Sequence, residues 1–201
     1  MSVNDVVLLS ICVLFISSSS CQENCPNINS RSLWGARSPL SVSYMSGSPS
    51  LVIVKETGTT ECMSRGNCLS AVKNIQNSDV LIHGKQDIAC SFLVGGDGLV
   101  YEGRGWDIQP EYPDSLEICV IGKFDKNTPT SAQISALAAL IECAISKGKL
   151  TSAYTVQTPR DLTATSDNPG DMLYSLVKQL PHYFVTTSSA TSITQATTIS
   201  T

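Results

Sequence analysis

Histidine is scarce in this 201-residue chain: only His83 and His182 occur, far apart. A hydrolytic zinc site usually draws on three protein ligands with histidines prominent among them, so no histidine-rich metal site can be assembled. The cysteines do not compensate. From Cys62 through Cys68, Cys90 and Cys119 to Cys143 the spacings are 6, 22, 29 and 24 residues, with no CxxC, which argues against a structural zinc module. There is no GxSxG to present a serine nucleophile and no GxxxxGK[ST] to cradle a phosphate. Basic residues are few, 13 Lys and Arg against 17 Asp and Glu, for a net charge of −4. A nucleic-acid binder needs a concentrated basic surface, so nucleic acid is not an expected partner. No Asn-x-Ser/Thr sequon is present, and the longest apolar run, VVLLSICVLFI at 6–16, has 11 residues and is too short to span a bilayer.

That run has the length of a signal-peptide h-region, although Asp5 and the lack of Lys or Arg make a poor n-region. The small residues Ser17–Ser20 offer cleavage after Ser20. Residues 1–20 therefore read as a signal peptide, and the mature chain as secreted, extracellular and without a membrane span. An uncleaved anchor is the competing reading. Loss of Cys12 with the signal leaves seven cysteines, an odd number. Either one is free, or Cys21 pairs between chains, or cleavage falls after it. Cys62 and Cys68 flank only MSRGN and are the easiest pair to close. At the other end, TTSSATSITQATTIST (186–201) has 11 Ser or Thr in 16 residues and no charge. Residues 185–201 read as a disordered tail open to O-glycosylation, with no apolar stretch to signal a lipid anchor.

Between them, residues 21–184 read as one domain. LVIV at 51–54 is a buried strand that surfaces at Lys55, Glu56, Thr57 and Gly58. Leu69, Val72 and Ile75 predict a helix over 67–76. Phe92–Val94 and Leu99–Tyr101 flank GGDG, a hairpin in which glycine supplies positive φ. Leu116–Ile121 is a further buried strand. Residues 130–147 form the strongest helix, with Thr130 as cap, an apolar stripe through Ile134, Leu137, Leu140, Ile141, Ala144 and Ile145, and Gly148 as stop. A short strand at 154–156 and a last helix beginning at Pro169, with Leu173, Leu176, Val177 and Leu180 facing inward, complete the order β-α-β-β-β-α-β-α. This is an α/β fold, a central mixed β-sheet covered by about three helices.

Candidate chemistry is thin. His182 in LPHYF reads as packing or a helix C-cap, and His83 as a loop or strand-edge residue. Asp97, Glu102, Asp107 and Glu111 are the carboxylates available for glycosidase-type catalysis, but Asp97 belongs to a turn and Glu102 has Arg104 nearby.

One segment is specific. VGGDGLVYEGRGW (94–106) resembles the signature of the peptidoglycan recognition proteins, animal relatives of the phage-type zinc N-acetylmuramoyl-L-alanine amidases. SRSLWGARSP (30–39), the strand ending at Lys55, CMSRGNC (62–68), IGKF (121–124), PRDLTATSDNPG (159–170) and LYSLVKQLPHYF (173–184) follow that family's order. The resemblance implies a single amidase-like domain and disulfides Cys62–Cys68 and Cys25–Cys143. Cys90 and Cys119 form a third pair or remain two buried thiols.

Catalytic relatives hold zinc with a histidine at the end of the first strand, a histidine before Arg-Asp and a cysteine before Pro-Gly. The resemblance puts Lys55, Pro159 and Asn168 at those positions, and Cys90 at that of the catalytic tyrosine. It therefore implies a member with no cofactor, no bound metal and no enzyme activity. Bacterial peptidoglycan or muramyl peptide is the implied ligand, in innate immunity, with a protein partner for signalling. A degenerate homologue acting as regulator or decoy through protein–protein contacts is the alternative. Lys55, Thr57, Arg104, Trp106, Tyr112 and Arg160 are the candidate ligand-binding residues. The loop DIQPEYPDS (107–115) is shorter than in relatives, and Gly84–Lys85 stand where a Gly-Trp pair accompanies diaminopimelate preference. An open cleft lined by Lys55, Trp106 and Arg160 would favour ligand binding. A cleft filled by Tyr112 or closed by a Cys90–Cys119 bridge would favour the protein-interaction reading.

Overall fold

A computed structural model describes residues 25–184. The signal peptide expected at 1–20, Cys12, Cys21 and the tail at 185–201 lie outside the described residues. The fold is a six-stranded sheet in the order β1-β4-β3-β5-β2-β6. Its strands are β1 (Ile28–Asn29), β2 (Leu51–Glu56), β3 (Phe92–Val94), β4 (Val100–Glu102), β5 (Leu116–Val120) and β6 (Thr155–Gln157). Among these strands, only the β3–β4 hairpin is paired antiparallel. The helices are α1 (Arg65–Leu81), α2 (Ser131–Ser146), α3 (Pro159–Leu162) and α4 (Asp171–Val177). The mixed sheet with covering helices is the architecture expected from the sequence.

Alternation along the strands builds two cores. Val52, Val54, Phe92, Val94, Ile118 and Val120 pack with Leu137, Leu140, Ile141 and Leu173 on the side of α2 and α4. Leu93, Tyr101 and Cys119 pack with Val72, Ile88 and Trp34 on the side of α1. Helix α2 starts as predicted: Thr130 accepts from the Gln133 amide at 3.1 Å, and the Gln133 side chain accepts from the Thr130 amide at 3.0 Å. Gly148, at φ +63°, ends it, and the Lys149 amide closes back on the Ala144 carbonyl.

Four differences from the sequence reading have physical causes. Helix α1 is longer at both ends than 67–76: Ser64 caps its start, accepting from the Asn67 amide at 3.4 Å, and the Ile82 amide closes its end on the Ser78 carbonyl. Its most buried positions are Cys68, Val72, Gln76 and Asp79, so two polar residues face inward. Gln76 is satisfied there by the Arg37 backbone and by Asp87 at 2.6 Å. Strand β1 is only two residues long, too short for periodicity to reveal. The last helix begins at Asp171, not Pro169, because the Gly170 amide is taken by Glu56. A side chain at Gly170 would meet the Phe124 backbone, 2.4 Å from its Cβ. Finally, α3 forms over four residues that read as loop: Asp161 accepts from both the amide and the hydroxyl of Thr158 at 2.8 Å.

Among the described residues, three disulfides brace this frame. Cys25–Cys143 ties the N-terminal segment to α2, Cys62–Cys68 closes the turn entering α1, and Cys90–Cys119 joins the approach to β3 with β5. The first two are the pairs the resemblance implied, and the third resolves the choice left open between a bridge and two thiols. Among the described residues, no helix is long and apolar enough to cross a membrane.

Candidate functional site

The site lies where β2 ends. Consecutive strand residues point to opposite faces, so Lys55 and Glu56 part company despite their adjacency. The Glu56 carboxylate turns to backbone, its Oε2 accepting from the Phe124 amide at 2.8 Å and the Gly170 amide at 3.1 Å. Lys55 turns to the α1 side and enters a cleft of about 260 Å³. Ile75 and Asp79 of α1, Lys85, Glu111, Tyr112, Pro159 and Asn168 also line this cleft, with the Cys90–Cys119 bridge among its lining residues.

Lys55 is nearly buried and held by two carboxylates. Its Nζ lies 2.5 Å from Glu117 Oε2 and 2.8 Å from Glu111 Oε2. Glu117 is fully buried on β5, and its other oxygen accepts from the Tyr112 amide. Burial pushes the Lys55 pKa down, but the pull of Glu117 and Glu111 outweighs it, and the net shift is upward. Burial likewise pushes Glu117 up, and there it prevails over Lys55. Glu111 spans two cations, since its Oε1 lies 3.1 Å from Lys85 Nζ. Burial raises its pKa, the lysines lower it, and the lysines win, holding the carboxyl at about 2. Lys85 also pairs with Asp79 at 3.4 Å, and the Tyr112 ring centroid lies 5.5 Å from Lys55 Nζ.

The loop bearing Glu111 and Tyr112 is tightly made. Asp114 sits at φ +54°, and Gln109 closes the turn by accepting from its amide and donating to its carboxylate, each at 2.9 Å. Ser115 donates to the Tyr112 carbonyl at 2.8 Å.

Of the six candidate ligand-binding residues, Lys55, Thr57 and Tyr112 come together in this cleft, and the other three are engaged elsewhere. Arg104 donates to the carbonyls of Ile88 and Gln109, both at 2.7 Å, bracing the hairpin exit. Trp106 lies against Phe92, ring centroids 4.2 Å apart, and lines a separate depression with Met45 and Lys149. Arg160 pairs with Asp171 at 2.8 Å and lies over the Tyr174 ring. Asp161 accepts from the hydroxyls of Tyr174 and Tyr183, each at 2.8 Å. Of the other candidates, Asp97 accepts from the Tyr101 hydroxyl at 2.6 Å within the turn, Glu102 accepts from the Arg31 amide, and His182 stacks on Tyr154. His83 is exposed.

The candidate list omitted Asp79, Lys85 and Glu117. Glu117 had a signal: a lone carboxylate inside the buried strand LEICV must find a charged partner, and Lys55 is that partner.

The residues implied for the metal positions converge as well, since Lys55, Pro159 and Asn168 share the cleft with Cys90. Their chemistry does not fit zinc. Lys55 is an ion-paired ammonium with no lone pair to give, and Pro159 offers no side-chain donor atom. Asn168 is spent on β2, accepting from the Glu56 amide and donating to its carbonyl, both at 3.1 Å. The Cys90 sulfur is in a disulfide. Among the described residues, no group of three or more His, Cys, Asp or Glu is arranged to hold a metal ion.

Residues 45–171 match the N-acetylmuramoyl-L-alanine amidase family. The chain is 37% identical over 155 residues to peptidoglycan-recognition protein 1 of Holotrichia diomphalia, covering 75% of this chain and 78% of that one. Among solved structures it is similar to bumblebee PGRP-SA, with a TM-score of 0.76 and 33% identity, covering 80% of this chain and 98% of that one. It is equally similar, at a TM-score of 0.76 and 31% identity, to a chain in the ectodomain complex of peptidoglycan recognition proteins LCa and LCx bound to tracheal cytotoxin, covering 79% of this chain and 98% of that one.

Proposed function

Because the chain belongs to the peptidoglycan recognition proteins of the N-acetylmuramoyl-L-alanine amidase family, we propose that it is a secreted, non-catalytic pattern-recognition protein that holds peptidoglycan fragments in the cleft at the end of β2. The observation that carries this reading is the ion-paired Lys55 in a cleft that stays open. Amide hydrolysis of the family's kind needs a Lewis acid to polarise the carbonyl and lower the pKa of the attacking water. A lysine locked between Glu111 and Glu117 supplies neither. What it offers is a charged, shaped wall for recognition. The solved ectodomain complex of LCa and LCx bound to tracheal cytotoxin supports both a peptidoglycan-derived ligand and a protein partner for this chain. Three disulfides support an oxidising, extracellular setting.

The Cys90–Cys119 bridge and Tyr112 line the cleft without filling it. Even so, the absence of Trp106 and Arg160 from it favours the second reading of a regulator or decoy acting through protein contacts. Retention on insoluble peptidoglycan separates the two, using polymers with lysine and with diaminopimelate in the stem. Binding to either supports the first reading, and failure on both supports the second. Release of free peptide dependent on added zinc would overturn the non-catalytic assignment.

A further inference from the structure

Glu111 occupies its place in the cleft as a ligand would. It reaches in from a surface loop, remains 44% exposed, and bridges two ammonium groups from different segments, Lys55 at 2.8 Å and Lys85 at 3.1 Å. Each lysine has a second carboxylate of its own, Glu117 for Lys55 and Asp79 for Lys85. With Glu111 in place this group carries three carboxylates on two lysines, an excess of one negative charge that disfavours another anion. With Glu111 swung outward, one carboxylate remains for each lysine and the charges balance.

We infer that Glu111 is a placeholder for a ligand carboxylate, and that the cleft takes ligands whose carboxylate can replace it between Lys55 and Lys85. The inference rests on the reading of this cleft as a muramyl-peptide site and names the group that site selects. Such an exchange conserves charge, a carboxylate for a carboxylate. An amidated ligand cannot make it, because a neutral carboxamide gives the two ammonium groups only a neutral acceptor where Glu111 gave charge-assisted hydrogen bonds. The backbone need not move. Gln109–Asp114 and Ser115–Tyr112 hold the loop, and the Tyr112 amide remains on Glu117, so rotation of one exposed side chain opens the position. The cost is competition: an intramolecular carboxylate lowers the apparent affinity by the fraction of time it occupies the site.

The test is calorimetric titration of the wild type, Glu111→Ala, and Glu111→Ala combined with Lys85→Gln. The probes are N-acetylmuramyl-L-alanyl-D-isoglutamine, which has one free carboxylate, its amide, and glutarate as a sugar-free carboxylate. Glu111 is a half-exposed loop residue, so its truncation leaves the fold intact. Glu111→Ala is expected to bind both acids at least about tenfold tighter than the wild type, with no gain for the amide, and Lys85→Gln to remove the gain. An unchanged preference for acid over amide in Glu111→Ala overturns the inference, as does a gain that survives Lys85→Gln. Wild-type retention on polymeric peptidoglycan, measured alongside, keeps the two failures apart. Retention without tightening leaves the proposed function standing and removes the placeholder. Tightening for glutarate without any muramyl binding keeps the carboxylate site and removes the proposed function.

Discussion

Lys55 and Glu117 meet across neighbouring parallel strands, Nζ to Oε2 at 2.5 Å, with Glu117 fully buried and Lys55 nearly so. Neither charge is tolerable alone at that depth. Lys55→Met strands the Glu117 carboxylate and is expected to cost about 3–5 kcal/mol of stability in urea unfolding. Lys55→Met combined with Glu117→Leu should recover most of that loss, because it removes both charges and keeps the volume. Simple addition of the two single-variant costs in the double variant would show that the pair is not coupled.

Glu111 gives the molecule a measurable acid response. Its carboxyl titrates at about 2 in the folded protein against an ordinary 4.5. Between those values the unfolded chain binds more protons than the folded one, so the contribution is complete above about pH 4.5 and fades as pH falls toward 2. Half-exposure screens the pair, so the contribution is about 1 kcal/mol, or about 3 °C in melting temperature. Glu111→Ala should melt lower than wild type at pH 6 and level with it near pH 2. A gap that persists to pH 2 would refute the assignment.

Glu56 is predicted to matter for stability. Truncation to alanine leaves the Phe124 and Gly170 amides without their acceptor and should cost about 3 kcal/mol. Glu56→Gln keeps a neutral acceptor and should cost less than half as much. Hydrogen exchange at the two amides reads the effect directly, and unchanged protection in the alanine variant would exclude the role.

The disulfides should rank by the loop each closes. Cys25–Cys143 spans 118 residues and Cys62–Cys68 spans 6. Constraint of the unfolded chain then predicts losses of about 5 and about 2 kcal/mol when each pair is replaced by alanine. Equal losses in denaturant titrations would show that strain or local packing governs instead.

Much of the frame was legible because its signals are local. The alternation in LVIVKE, the GGDG turn and the Thr130 cap each depend on residues within a few positions of one another. The site was only half legible because its contacts are not local. Nothing in the sequence around Lys55 names Glu117 or Lys85, which arrive through parallel pairing and through the loop after α1. Trp106 and Arg160 looked suited to a ligand by side-chain chemistry, yet Phe92 and Asp171 claim them. Similarity of motif placed these residues in order along the chain, and packing alone decided which of them share a cleft.

The divergence of Lys55 and Glu56 onto opposite sides of one strand separates two kinds of constraint at adjacent codons. A change at Glu56 loosens the 122–124 and 168–170 segments that frame the molecule. A change at Lys55 made together with its carboxylates rewrites what the cleft attracts while that frame stays closed. Charge can therefore be exchanged at this strand end without renegotiating the architecture that carries it.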